Sequence, residues 1–245
     1  MMNNIDNINT IKRLLNFENE GDFYMLYVFK RKKDQPEGER DNHQSVRTIK
    51  TYCVDSVEYL EKRYDEIKQL CEMFRARAYI HVQKQNHKDV SLNMMVALAQ
   101  RIQDGNLKQK GLFDSVVGQL KTHEKRWIVD IDNVSTDSFA HAEYYTSMRK
   151  YINELQEDAG KDKSMTFVKT KSGFHIITQP FNVMKFKEKY PEIDIQKKNP
   201  TLLYLPNSLM GEVEEMEHLR DANYIGGLTM PKTPSDWWSR IDENI

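Results

Sequence analysis

The chain has 245 residues, of which 39% are hydrophobic and 30% are charged, and its formal net charge is -1. This composition is typical of a globular protein with a sizeable core and excludes a disordered chain. Because the total charge is near neutral, any polyanionic partner would have to bind to local basic clusters.

Residues 1–75 predict a β-hairpin followed by a helix. The segments DFYMLYVFKRKK and QSVRTIKTYCV are rich in aromatic and β-branched residues, and they flank a polar, charged tip. From Ser56 to Arg75, apolar residues recur at helical spacing after a serine N-cap. We expect this hairpin and helix to pack on a core formed by residues 76–210.

Residues 76–210 mix predicted strands with predicted helices. The predicted strands are ARAYIHVQ, RWIVDID, MTFVKT, GFHIITQPF and TLLYLP. Because hairpins occur together with helical crossovers, the order favours an α+β fold with helices packed on a mainly antiparallel sheet. Arg77 and His81 share one face of the first strand, and we expect that strand to lie beside RWIVDID. Arg77 would then point toward the same surface as Asp130 and Asp132 of that neighbouring strand.

Residues 211–245 form a predicted tail. It contains Trp237 and Trp238, which either pack on the domain or contact a partner.

The two cysteines, Cys53 and Cys71, are too few for a secreted disulfide scaffold, so we expect reduced thiols. No stretch reaches the length of a membrane span, and the first residues lack an apolar signal region. A soluble, cytoplasmic protein without membrane contact is the expectation.

The stretch KRWIVDIDN ends an apolar run with two carboxylates, Asp130 and Asp132. Alternate residues of a strand share a face, so these carboxylates would lie side by side. Since like charges repel at that distance, a divalent cation between them is one remedy, although such pairs also occur on ordinary surface strands. Asp194 could supply a third oxygen ligand, and such a set suits magnesium or manganese.

The segment VKTKSGFHIIT places Lys169, Lys171, Ser172 and His175 about a turn at Gly173. Backbone amides at a glycine turn, a hydroxyl and two ammonium groups together could hold a triphosphate. His175 could donate a hydrogen bond to a phosphate oxygen or shuttle a proton. The alternative is an ordinary sheet histidine with a structural role.

These motifs, taken in order, resemble the three motifs of the archaeo-eukaryotic primase superfamily, which includes the primase-polymerases. The first is D-x-D at 130–132, the second is S-G-x-H at 172–175, and the third is the lone Asp194. The resemblance covers 76–206 and implies a stand-alone, RRM-like primase-type catalytic core.

The resemblance also implies roles for individual residues. Asp130, Asp132 and Asp194 would bind catalytic magnesium or manganese, and the motif that ends at His175 would contact the triphosphate of the incoming nucleotide. Family members often carry an arginine within the third-motif strand, where this chain has Leu202 and Leu203. Lys197 and Lys198 are candidates to replace its charge, although lysine lacks the planar fork of arginine.

The expected function is metal-dependent nucleotidyl transfer in DNA replication, acting on nucleoside triphosphates and a DNA or RNA template. Arg77 is expected near the nucleotide, and basic segments such as Lys30–Lys33 are candidates to bind nucleic acid. Stand-alone relatives are frequent in phages and mobile elements. Two alternatives stay open: a metal-dependent nuclease or phosphodiesterase, and an inactive primase-like module that binds nucleic acid or a replication protein.

Overall fold

The computed structural model describes residues 4–36, 45–108, 110–120, 122, 124–132, 138–156 and 163–210. The strands within these ranges are β1 Ile5–Asp6, β2 Asp22–Arg31, β3 Val46–Val54, β4 Arg77–His81, β5 Gln85–Asn86, β6 Trp127–Ile131, β7 Thr166–Lys169, β8 Phe174–Thr178, β9 Asp194–Gln196 and β10 Pro200–Leu205. The helices are α1 Ile8–Leu14, α2 Val57–Phe74, α3 His87–Gln103, α4 Leu112–Gln119, α5 Ser138–Leu155 and α6 Val183–Lys189.

The strands form two antiparallel sheets. The first sheet has the order β1-β10-β4-β2-β3, and β5 pairs with the beginning of β2. The second sheet has the order β7-β8-β6-β9. The predicted α+β class with antiparallel sheets is therefore confirmed. The predicted tail, with Trp237 and Trp238, lies outside the described residues.

Helix α2 follows the local rules that predicted it. The Ser56 side chain accepts a hydrogen bond from the Tyr59 amide at 3.1 Å, which satisfies one free N–H of the first turn. Leu60 and Ile67 are fully buried against the first sheet. The helix ends where Arg75 adopts a left-handed conformation with φ of 48°. Helix α2 thus covers one face of the first sheet.

The predicted neighbour of β4 is wrong. Strand β4 pairs with β2 and β10 in the first sheet, whereas β6, which carries the D-x-D motif, pairs with β8 and β9 in the second. The chain between β4 and β6 forms β5, α3 and α4, and it carries β6 into a different sheet. Alternation of faces along β4 was predicted correctly, because Ala78 and Ile80 are buried in the main core and Tyr79 is half-buried on the opposite face.

The two sheets share one hydrophobic core. Ile128 of β6, Val168 of β7 and Ile177 of β8 belong to the same buried cluster as Leu26 and Ile80 of the first sheet. This common core fixes the second sheet against the first. Among the described residues, no helix is long and apolar enough to span a membrane. Both cysteines are free, as predicted.

Candidate functional site

Three of the predicted site residues form one row across the second sheet. Asp130 of β6 lies directly opposite His175 of β8 on one side and Asp194 of β9 on the other. Directly opposed residues in antiparallel strands project from the same face, with Cβ atoms roughly 5 Å apart. The register of β6, β8 and β9 therefore brings together residues that are far apart in the sequence.

The Asp130 carboxylate contacts one donor at each oxygen. Its Oδ1 lies 3.2 Å from His175 Nε2, and its Oδ2 accepts a hydrogen bond of 2.6 Å from Gln196 Nε2. The same Gln196 nitrogen donates to Asp194 Oδ2 at 3.3 Å. Because the two carboxylates are acceptors only, this shared amide offsets part of their mutual repulsion. The Asp130 side chain keeps 19% of its surface exposed, so a ligand can reach it.

His175 connects the row to the other sheet. Its Nδ1 lies 2.9 Å from Oγ1 of Thr201 on β10, and Thr201 is completely buried. Asn7 makes a second cross-sheet connection, because its side-chain amide donates to the carbonyl oxygens of Lys169 and Leu202 at 2.9 and 3.0 Å. The row is thus attached to the first sheet by buried hydrogen bonds.

Gly173 allows the second motif to touch the first. A Cβ atom added to Gly173 would lie 1.9 Å from the carbonyl oxygen of Ile131 and 3.2 Å from the Cα of Asp132. Real side chains do not tolerate such contacts, so only glycine lets the turn between β7 and β8 approach the end of β6. This contact places Ser172 and Asp132 on the same cavity.

A cavity of about 450 Å³ lies over this row. Its first wall comes from β2, β3, β4 and β10, and its second wall comes from β6, β8, β9 and the turn between β7 and β8. The lining includes Phe29, Arg31, Lys33, Tyr79, Asp130 and His175. The cavity therefore has the carboxylates of Asp130 and Asp132 on one wall and cations on the other.

The cations of the first wall differ in their partners. Arg77 makes a bidentate ion pair with Asp34, and these side chains are only 7% and 3% exposed. Arg31 donates to the Tyr79 hydroxyl at 3.1 Å, and no described carboxylate lies within ion-pair distance of its guanidinium. Lys33 is exposed and likewise has no ion-pair partner in the described ranges. Arg31 and Lys33 are consequently the cations available to an anionic ligand, and Arg77 is already neutralised.

Lys169 and Lys171, which precede the second motif, differ in their position relative to the cavity. Lys171 lines the cavity and donates to the carbonyl oxygen of Leu209 at 2.5 Å. Burial, reinforced by the positive charge of Arg77, lowers the pKa of Lys171. Lys169 lies opposite Phe174, whereas Val168 lies opposite His175, so strand alternation directs Lys169 to the other face. Lys169 does not join the predicted triphosphate site.

The three aspartates do not converge on one point. Asp132 is exposed at the end of β6, lines the cavity and makes no ion pair or hydrogen bond with the rest of the described chain. Asp194 is exposed in the row beside Asp130, but it does not line the cavity. Within the described ranges, no three His, Cys, Asp or Glu side chains lie close enough together to hold a metal ion. Asp130 and Asp194 share the Gln196 amide.

Several site residues were not predicted in their roles. Arg31 lies two positions after Phe29 on β2, and both line the cavity, so strand alternation is the signal that could have found it. Gln196 and Thr201 have no local sequence signal, because their contacts depend on register. Lys197 lies over the Trp127 ring at 4.7 Å, and Lys198 donates to the carbonyl oxygen of Gly118 at 2.9 Å, so neither lines the cavity.

Comparisons with known proteins identify no relative: no family model, no curated protein and no solved structure matches the chain. The chemistry of this cavity is therefore the basis for assigning a function.

Proposed function

We propose that the protein is a metal-dependent nucleotidyltransferase of the primase-polymerase type, with an RRM-like catalytic core that acts on nucleoside triphosphates and a DNA or RNA template. One observation carries the proposal: Asp130 and His175, which are paired across β6 and β8, line a cavity whose opposite wall offers Arg31 and Lys33. Carboxylates that face unpaired cations suit a ligand that combines a metal ion with a polyphosphate.

The size and lining of the cavity suit one nucleotide. Small-molecule sites usually measure roughly 300–1,000 Å³, and this cavity measures about 450 Å³. Phe29 and Tyr79, whose ring centroids lie 5.9 Å apart and whose planes are tilted by 42°, give the first wall two aromatic surfaces. Every nucleobase has a π-face that can stack on such rings, so this wall can receive a base without sequence preference.

The ligand types present are those that a hard divalent cation prefers, although the three carboxylates do not converge on one point among the described residues. Asp130 and Asp194 each accept a hydrogen bond from the same donor, the Gln196 amide. Asp132 adds a carboxylate that lines the cavity together with Asp130. Magnesium and manganese prefer such oxygen ligands, so these three residues would hold the metal. When bound, the metal would polarise phosphoryl oxygens and favour ionisation of the attacking hydroxyl.

The remaining residues would bind and orient the triphosphate. His175 Nε2 lies at the cavity and can donate to a phosphate oxygen, and Lys171 and Ser172 lie on the adjoining turn. Arg31 supplies a planar guanidinium on the opposite wall, where a bidentate contact with a phosphate is favoured. Because phosphoryl transfer depends mainly on position and charge, these contacts account for the chemistry that the protein itself must supply.

A second candidate is a primase-like module that binds nucleic acid without turnover. One observation favours it: no three metal-ligating side chains converge in the described part of the chain, and Gln196 satisfies both Asp130 and Asp194. Such a module would retain the cations and aromatic rings of the first wall. It would bind single-stranded nucleic acid and would show no metal-dependent affinity for triphosphates.

Calorimetric titration with a nucleoside triphosphate, in the presence and absence of manganese, tests the proposal. The wild type should bind the triphosphate only with manganese, and Asp130→Asn should weaken that binding at least about 100-fold, which corresponds to roughly 2.7 kcal/mol. Asp65→Asn is a matched control, because Asp65 is an exposed carboxylate on α2 far from the cavity lining. Equal affinities in the wild type and Asp130→Asn would contradict the proposal.

Fluorescence anisotropy with a single-stranded oligonucleotide in EDTA separates the two candidates. A folded wild type that binds the oligonucleotide but no triphosphate would favour the binding module. If manganese-dependent triphosphate binding is found, primer synthesis on a single-stranded template is the next assay, and its absence would limit the function to nucleotide binding.

A further inference from the structure

We infer that Thr201 is a positioning residue for His175: its hydroxyl donates to Nδ1 of the neutral ring and so fixes the ring with Nε2–H, which Asp130 selects as the donor, directed at the cavity. This inference rests on the proposed function for the use of that proton. The observations that carry it are the two contacts of the imidazole, 3.2 Å from Nε2 to Asp130 and 2.9 Å from Nδ1 to Thr201.

The contact with Asp130 decides which nitrogen carries the proton. A carboxylate can only accept hydrogen bonds, so the Nε2 that faces Asp130 Oδ1 must be the donor in the neutral ring. Nδ1 is then an acceptor, and its neighbour must donate. A threonine hydroxyl can do so, because it has one proton that rotates to suit its partner.

Burial makes Thr201 difficult to replace. Thr201 is completely buried on β10, and His175 is also buried, so water cannot easily take the place of the hydroxyl. Without the hydroxyl, Nδ1 would be a buried acceptor with no donor, which is unfavourable. The ring would then lose the constraint that directs Nε2 toward Asp130.

The position of Thr201 explains why one side chain can fix the ring relative to both walls. Thr201 belongs to the first sheet, where it lies opposite Ile80, and His175 belongs to the second sheet. The hydrogen bond therefore orients the ring against a strand of the opposite sheet. In the presence of ligand, the Nε2 proton is already directed at the cavity and can be donated to a phosphate oxygen without reorientation of the ring.

The test is a nitrogen-15 NMR measurement of the histidine rings in protein free of metal and nucleotide, at alkaline pH, where imidazoles are neutral. In the wild type we expect the His175 proton on Nε2 and Nδ1 as a hydrogen-bonded acceptor. Thr201→Val, which keeps the shape and removes the hydroxyl, should leave the proton on Nε2, because Asp130 still accepts it, and should shift the Nδ1 resonance to that of an acceptor without a hydrogen bond. Thr201→Ser, which keeps the hydroxyl, should retain the wild-type spectrum.

Thr178→Val is the matched control. Thr178 is also a buried threonine, but its hydroxyl accepts from Gln156 at 2.6 Å and does not contact His175. It should leave the His175 resonances unchanged. A wild-type ring protonated on Nδ1, or identical ring spectra in the wild type and Thr201→Val, would overturn the inference. If Thr201→Val does not fold, the wild type and Thr201→Ser still decide which nitrogen carries the proton.

Triphosphate titration in manganese then connects the ring to the site. Thr201→Val should bind the triphosphate about tenfold more weakly than the wild type, and Thr201→Ser should restore the affinity. Absence of triphosphate binding in the wild type would refute the proposed function and leave the NMR result intact. Equal triphosphate affinities in the wild type and Thr201→Val would overturn the part assigned to the Nε2 proton.

Discussion

The cavity has a charged pair on each wall, and the two pairs differ in how completely their charges are matched. On the first wall, Arg77 and Asp34 form a bidentate pair that is almost fully buried. On the second wall, Asp130 contacts a histidine and a glutamine, and a second carboxylate, Asp194, lies directly beside it. The first pair has no charge left over for a ligand, and the second retains excess negative charge at an open cavity. The second pair therefore leaves a net charge that a ligand could match, and the first pair does not.

Removal of Arg77 should have the largest effect on stability. Arg77→Ala leaves Asp34 buried without its partner, and breaking a buried ion pair in this way costs roughly 3–5 kcal/mol. Urea unfolding, followed by circular dichroism, measures the change. The matched control is Arg31→Ala, because the Arg31 side chain has only the Tyr79 hydroxyl as a partner among the described residues, and this variant should lose less than about 1.5 kcal/mol. A loss for Arg77→Ala no larger than for Arg31→Ala would remove the distinction between the walls.

A side chain at Gly173 should damage the second wall. Gly173→Ala forces a Cβ to within 1.9 Å of the Ile131 carbonyl oxygen, so the turn must separate from β6 at a cost of roughly 2–3 kcal/mol. Gly118→Ala is the control, because its Cβ would have no neighbour within 4 Å on helix α4, where alanine is favoured by roughly 0.5–1 kcal/mol. Thermal and urea unfolding of both variants should give changes of opposite sign.

A histidine outside the cavity lining, His81, provides a test in pH. His81 on β4 makes no hydrogen bond with any described residue, and burial lowers its pKa to about 4. Since the unfolded chain binds the proton first, the stability that neutral His81 contributes is complete above pH 6.5 and is lost as the pH falls toward 4. We expect a loss of roughly 2 kcal/mol over this window.

Unfolding by urea at several pH values measures this dependence, with His81→Gln as the comparison. The variant cannot titrate at this position, so its curve should be flatter than that of the wild type between pH 4 and 6.5. Parallel curves for the two proteins would show that other groups cause the acid sensitivity.

Asp194→Asn should change stability least, and it distinguishes an effect on stability from an effect on metal binding. Asp194→Asn removes one of two adjacent like charges, so the variant should be as stable as the wild type or more stable by up to about 0.5 kcal/mol. Under the proposed function, manganese affinity should nevertheless fall at least about tenfold. Unfolding and manganese titration of the same sample test both parts, and a destabilised variant would contradict the unmatched-charge argument.

Local patterns in the sequence predicted local structure well. The Ser56 cap, the alternation of faces along β4, the turn at Gly173 and the apolar run that becomes β6 each depend on neighbouring residues, and each is present in the fold. The antiparallel α+β class followed from the order of these elements. These features could be predicted because their physical causes lie within a few residues of one another.

Features that depend on pairing between distant strands could not be predicted. The register that aligns Asp130 with His175 and Asp194 requires knowledge of which strands are adjacent, and the expected pairing of β4 with β6 was wrong. Lys169 was grouped with Lys171 by proximity in sequence, although strand alternation separates them. Thr201 contacts His175 only because the second sheet packs against β10.

The core shared by the two sheets has a thermodynamic consequence. Because Ile128, Val168 and Ile177 pack in one cluster with the first sheet, and Asn7 hydrogen-bonds to Lys169 and Leu202, the walls of the cavity cannot move apart without exposing that core. Ligand binding should therefore bury little apolar surface beyond the ligand itself. The heat capacity change on binding should be small, as it is when a ligand enters a preformed pocket. The association rate should not be limited by a slow opening step.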